Sequence, residues 1–295
     1  MAGLVAVPPA TQASAEATAD FDEHWRRALA ELVTLPPDAL PANALATVRF
    51  PVTATGAACA VWLPGSDPWA TPVVHVVEAL GEPRPSDRTR SHFYLPWRQD
   101  DRPLDEWLRE ADDPLDGAPA LAVLAACQAV YLVRSCPHVR ATGVGLVGDG
   151  PGAQIALAAA ALVPDRVAWL ILHQPTPAFY RLADGTLTAC PTVRPALDTL
   201  ACDGPWYVAQ LAYLEPRHFA ARLRSPAFVI AGAADREAPA GESELLFAAL
   251  AGPRDGLIFQ GVGHWASDRL PGFAAMLDRV DAFAAARRLG RLTSP

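Results

Sequence analysis

The apolar positions of this chain fall into short blocks whose period switches between helix and strand. From Asp20, Phe21, Trp25, Ala28, Leu29 and Leu32 recur at helical spacing, and Pro36 and Pro37 end that helix. Residues 46–63 carry alternating and β-branched stretches, which predict an antiparallel pair of strands. The run 72–77, Pro-Val-Val-His-Val-Val, predicts a short buried strand, whereas 81–118 is rich in Pro, Asp and Arg and reads as loop with one short helix. A helix is expected over 121–135, then a buried strand, a sharp glycine turn and an Ala/Leu helix over 143–162, then a strand over 167–172. Prolines and turns break the periodicity over 174–217, as an irregular insertion or cap would. Beyond it the pattern predicts strands at 227–231 and 256–260 and helices at 242–251 and 273–289.

Strands alternating with helices imply a mostly parallel twisted sheet with helices on both faces. Residues 1–19, rich in Ala and Thr, read as a mobile N-terminal arm, and 20–295 as one domain containing the insertion near 174–217. The 295 residues are 51% hydrophobic, enough for a large core. A net charge of -8 argues against nucleic acid or an anionic membrane as partner, because both require a basic face. Every basic residue is arginine, which with the abundant Ala, Pro and Leu reads as coding bias rather than mechanism. Cys59, Cys127, Cys136, Cys190 and Cys202 are scattered without metal-ligand spacing, so free thiols and no metal site are expected. The first twenty residues lack a basic segment before an apolar run, and no run is judged long enough to span a membrane, giving a cytoplasmic expectation.

The chemistry concentrates at three places. Gly148-Asp149-Gly150-Pro151-Gly152 joins the predicted strand to the Ala/Leu helix, in the layout of the Gly-x-Ser-x-Gly nucleophile elbow, but with Gly150 where the serine belongs. Asp235 follows the strand Phe228-Val-Ile-Ala231, where a carboxylate can orient an imidazole. His264 lies in Gly261-Val-Gly-His-Trp265 after the last strand. Nucleophile position, acid and histidine follow one another in the order of the α/β-hydrolase triad.

With these residues the chain resembles the acetylxylan esterase / cephalosporin-C deacetylase branch of the α/β-hydrolases. Asp20-Phe-Asp-Glu-His-Trp25 is similar to that family's N-terminal helix, and Gln128-Ala-Val…Ser135-Cys-Pro-His-Val139 to its approach to the elbow strand. Phe219-Ala-Ala-Arg222, Ser225-Pro-Ala-Phe228 and Ala231-Gly-x-x-Asp235…Pro239 are similar to its acid-strand region. The match spans most of 20–285 and is weakest over 80–118 and 175–215. It implies an α/β-hydrolase fold, carboxylic ester hydrolase ancestry, Asp235 and His264 as triad acid and base, no cofactor and a homo-oligomer. In the family Ala-Leu falls six and seven residues after the nucleophile, and counting back from Ala156-Leu157 gives Gly150.

The resemblance also exposes departures. The residue after the nucleophile lends its N–H to the oxyanion hole, and here it is Pro151, which has none. The family's oxyanion tyrosine is matched by Ala79 within Glu78-Ala-Leu-Gly81. Serine esterase activity is therefore expected to be lost. One alternative makes Asp149 the nucleophile, working with Asp235 and His264, although its register is off by one; otherwise Asp149 would cap the following helix. A dinucleotide site fits Gly143-x-Gly145-x-x-Gly148 or Gly148-x-Gly150-x-x-Ala153 but lacks the acidic residue after the next strand, where His173 and Gln174 stand. A third alternative is a non-catalytic binding or assembly protein whose retained pocket, lined by Trp265, Trp206 and Tyr207, holds an acetylated sugar or small ester.

Overall fold

The computed structural model of the chain describes residues 20–34, 40–78, 88–99, 106, 117–175, 180–181, 187–188, 211–264, 282–283 and 286. The N-terminal arm, most of the insertion, most of the expected closing helix, and Ala79, Trp206, Tyr207 and Trp265 lie outside the described residues.

Valine-rich and aromatic runs supply the strands β1 (Ala46–Pro51), β2 (Ala57–Leu63), β3 (Val73–Val77), β4 (His92–Pro96), β5 (Val144–Asp149), β6 (Val167–His173), β9 (Ala227–Gly232) and β10 (Arg254–Phe259). They form one eight-stranded sheet in the order β1-β2-β4-β3-β5-β6-β9-β10. β2 runs against both its neighbours, while every pairing from β4 to β10 is parallel. Parallel neighbours need crossovers, and those described are α2 (Ala118–Ser135), α3 (Pro151–Leu162), α4 (Pro216–Arg222) and α5 (Ala240–Ala249). This is the α/β-hydrolase fold, as expected. Within the insertion, β7 (Tyr180–Arg181) and β8 (Leu187–Thr188) make a small antiparallel pair.

β4 corrects the loop assigned to 81–118. His92-Phe-Tyr-Leu-Pro96 joins β2 on one side and β3 on the other. Flanking Arg, Pro and Asp hid a five-residue strand that is buried because it is interior, not because its own pattern is strong. Ala-rich α2 also corrects the membrane expectation: at 18 residues it is long and apolar enough to cross a bilayer, yet most of it is buried inside the fold. A helix that is apolar all round is stable in a core as well as in lipid.

Side chains from α2, α3 and one sheet face make the larger core, including Leu124, Val133, Leu146, Leu157 and Leu172. The opposite face carries a smaller cluster of Val73, Trp169, Ile171, Phe228, Ile230 and Phe283. α1 (Phe21–Ala30) buries Phe21, Trp25 and Ala28 along one stripe and docks far along the chain. Phe21 packs edge-on against Phe219, Trp25 Nε1 donates to the Tyr213 carbonyl at 2.9 Å, and Arg222 pairs with Asp22 at 2.6 Å. Gln128, buried in α2, donates to the Val33 carbonyl at 2.6 Å and so ties the segment after α1 to the core. The described cysteines Cys59, Cys127 and Cys136 are free thiols, and burial pushes Cys127 up to about 12.

Two imidazoles are held in their neutral form by burial. His75, on β3 beside His92, is pushed down from 6.5 to about 3 by desolvation and then by the neighbouring ring. His218 falls to about 4 through desolvation, with Arg222 and Arg217 adding to it. The unfolded chain takes up these protons near pH 6.5 while the folded chain refuses them, so these two rings lower stability as pH drops below 6.5. Each ring contributes a slope of about 1.4 kcal/mol per pH unit down to its folded value. Urea unfolding between pH 7 and 5 should show this loss, and His218→Gln should reduce the slope by one proton. A stability independent of pH over that range would contradict the burial of both rings.

Candidate active site

The site forms where β5, β6, β9 and β10 end, at the carboxyl edge where open α/β sheets bind their ligands. β5 stops at Asp149, Gly150 turns the chain, and Pro151 opens α3. Gly150 has φ 54° and ψ -124°, a conformation that a residue without Cβ adopts at little cost. Pro151 suits the start of a helix because a first-turn N–H has no helical partner, and the proline simply lacks one. Gly152 answers a different demand. A Cβ there would stand 2.4 Å from the Val76 carbonyl oxygen, so only glycine lets α3 lie this close to β3.

Asp235 and His264 are brought together. The turn after β9 is fixed by Ala233 donating to the Phe259 carbonyl at 2.9 Å and Ala234 to that of Val262 at 2.8 Å. The buried Asp235 carboxylate then engages both oxygens. Oδ1 accepts the N–H groups of Glu237 and Ala238 at 2.8 and 2.9 Å, and Oδ2 lies 2.9 Å from His264 Nδ1. Such a carboxylate fixes the ring's orientation and its tautomer. On the other side of the ring, Nε2 lies 3.6 Å from Glu237 Oε2, so His264 stands between two carboxylates.

Asp149 does not cap α3: no side-chain cap bond is made there, and the residue in the cap position is Gly150. Its carboxylate instead lies 2.8 Å from His173 Nδ1, across the β5–β6 register that sets the two residues side by side. The N–H of Gly150 donates to the His173 carbonyl at 3.0 Å. Next in the chain, buried Gln174 takes φ 43°, unusual for a residue with a side chain. Its amide nitrogen donates to the Gly263 carbonyl at 3.0 Å, one residue before His264. Hydrogen bonds thus run from the turn at Gly150 through His173 and Gln174 to the histidine loop.

His173, Gln174 and Glu237 were not singled out as site residues from sequence. His173 carried a signal: it ends the strand after the glycine turn, level with Asp149. The dinucleotide alternative fails on local structure, since Gly145 and Gly148 lie inside β5 and a histidine ends β6. Among the described residues no group of three or more His, Cys, Asp and Glu is arranged for a metal. An open cleft of about 440 Å³, lined by Asn43, Leu63, Ser66, Arg88 and Arg90, lies where β4 begins, at the opposite edge of the sheet.

No family model matches the sequence, and no curated protein matches it. Solved structures do. The chain is similar to acetyl xylan esterase 1 from Thermoanaerobacterium sp., with a TM-score of 0.73 at 17% identity over 93% of this chain and 95% of that one. It is similar to the acetyl xylan esterase from Paenibacillus sp. R4, at 0.70 and 19% over 90% and 95%. The acylaminoacyl peptidase of Pyrococcus horikoshii matches at 0.57 and 13%, over 82% of this chain and 42% of that one. At these identities the likeness is one of fold.

Gly152→Ala tests the close approach of α3. Alanine improves helix propensity by about 1 kcal/mol, but overpacking typically costs about 1–3 kcal/mol, and a backbone oxygen has little room to retreat. The variant should therefore unfold at lower urea than the wild type; an unchanged or higher midpoint would show that α3 can move away from β3.

Proposed function

We propose that this chain keeps an esterase scaffold but not serine acyl-transfer chemistry, and that it receives an acetylated sugar or another small ester at the carboxyl edge of the sheet without forming an acyl-serine. The observation that carries this reading is the glycine between β5 and α3 at φ 54°. In an α/β-hydrolase the residue at that turn is the nucleophile, and glycine has no side chain with which to attack.

The neighbours support the same conclusion. Pro151 has no N–H to offer an oxyanion, and loss of one such donor typically costs about 2.7–4 kcal/mol of transition-state stabilisation. Ala79, matched by resemblance to the second donor, supplies no hydroxyl. Asp235 and His264 keep the geometry that would orient and deprotonate a hydroxyl, with none provided at Gly150. The acetyl xylan esterases among the similar structures support the choice of ligand class.

Asp149 is a poor substitute nucleophile. Its carboxylate is engaged by His173, and the N–H of the following residue, which would serve the oxyanion, is already given to the His173 carbonyl.

Aryl-acetate hydrolysis and fluorophosphonate labelling, run on the wild type and on Gly150→Ser/Pro151→Gln, test the proposal. The wild type should show no acyl-enzyme burst and take no label. The double variant should gain both, while losing about 1–3 kcal/mol of stability because serine must adopt a positive φ. Labelling of the wild type at a serine would refute the proposal.

A further inference from the structure

A second imidazole–carboxylate pair stands at the same sheet edge, and the triad arrangement makes no use of it. His173 and Asp149 end adjacent parallel strands in direct register, with Nδ1 and Oδ1 2.8 Å apart. Both side chains are partly open to solvent, at 21% and 28% exposure, so the ring is accessible while its orientation is fixed. The backbone of His173 is locked as well: its carbonyl accepts from Gly150, and the next residue donates its N–H to the Ile230 carbonyl at 2.7 Å.

The geometry points to His173 and Asp149 as an acid–base dyad that hydrolyses small esters by direct attack of water, without a covalent intermediate. This rests on the proposal that Gly150 supplies no nucleophile. The two imidazoles of the edge differ in what their outer nitrogen faces. His264 Nε2 faces the Glu237 carboxylate at 3.6 Å, whereas among the described residues the side-chain hydrogen bond of His173 runs through Nδ1 to Asp149, which leaves Nε2 for a water. With Nδ1–H donated to Asp149, Nε2 carries the lone pair that a general base needs.

The chemistry balances without a cofactor. Nε2 takes a proton from water as the water oxygen bonds to the acyl carbon. The tetrahedral adduct then collapses, the acyl–alkoxy bond breaks, and the imidazolium returns the proton to the departing alkoxide. Acid and alcohol leave, and the dyad is restored to its starting state. Asp149 steadies the imidazolium formed between the two steps, in the way a triad carboxylate does.

The test uses p-nitrophenyl acetate with the full chain. The wild type should exceed the buffer rate and show a normal solvent deuterium isotope effect, since a proton moves as water attacks. A positioned general base typically contributes about 10²–10⁴-fold, so His173→Gln should remove at least about ten-fold of the excess rate. Asp149→Asn should reduce it by less, and exposed His138→Gln should leave it unchanged. Imidazole added to folded His173→Ala should restore a protein-dependent increment, which a merely structural ring would not allow.

A wild-type rate equal to buffer, an isotope effect near one, an unaltered His173→Gln, or no rescue of a folded His173→Ala would each overturn the dyad. None of these affects the non-serine reading, which fluorophosphonate labelling decides separately. The wild-type rate and isotope effect need no variant to fold.

Discussion

The distance between α3 and the sheet, set by Gly152 lying against the Val76 carbonyl, is the constraint on which the site depends. A larger residue would lift the first turn of α3 and open the bend at Gly150. That bend fixes where the Gly150 N–H points, and its hydrogen bond to His173 transmits the position of the turn to β6. From β6, Gln174 carries it to the histidine loop. Small alanine side chains behind the turn let α3 sink into the core, with Ala156, Ala158, Ala159 and Ala160 all buried. The geometry of the edge is therefore a property of packing, and it does not require that the turn still carry a nucleophile.

Much of this was legible in the chain. The strand–turn–helix unit, the Asp235 turn and the His264 loop each have a strong local signature of glycines beside a β-branched or aromatic run. Two segments matched to one family, Asp20–Trp25 and Phe219–Arg222, meet in the fold: Phe21 lies on Phe219, and Asp22 pairs with Arg222. β4 was not legible, because a five-residue strand between two established neighbours gets its identity from them rather than from its own sequence. The partnership of Asp149 with His173 escaped for a related reason. It depends on the register of two parallel strands 24 residues apart, and register is a tertiary quantity.

On the proposed reading, the fold and the chemistry have separated in this chain. Hydrophobic blocks and glycine turns specify an α/β-hydrolase sheet with little reference to catalysis, and they tolerate a glycine where a serine would act. What the carboxyl edge retains is a set of oriented imidazoles, each fixed through Nδ1 by a carboxylate. One stands between two carboxylates at 14% exposure, and the other meets its carboxylate through Nδ1 at 21% exposure. On that reading such an edge supports proton transfer more readily than acyl transfer, since the imidazoles are oriented and Gly150 carries no attacking atom.

The docking of α1 onto α4 has a consequence for how the molecule assembles. Asp22 meets Arg222 and Trp25 meets Tyr213 across 200 and 188 residues of sequence. During synthesis the aromatic stripe of α1 emerges almost two hundred residues before the surface that covers it. Contacts of such sequence separation form late and slow folding, and until they form an apolar face is exposed to other chains. The charged side of α1, with Asp22, Glu23, Arg26 and Arg27, keeps the waiting helix hydrated on one flank. α1 thus emerges well before the surface it docks on, and its aromatic stripe stays uncovered until α4 has been made.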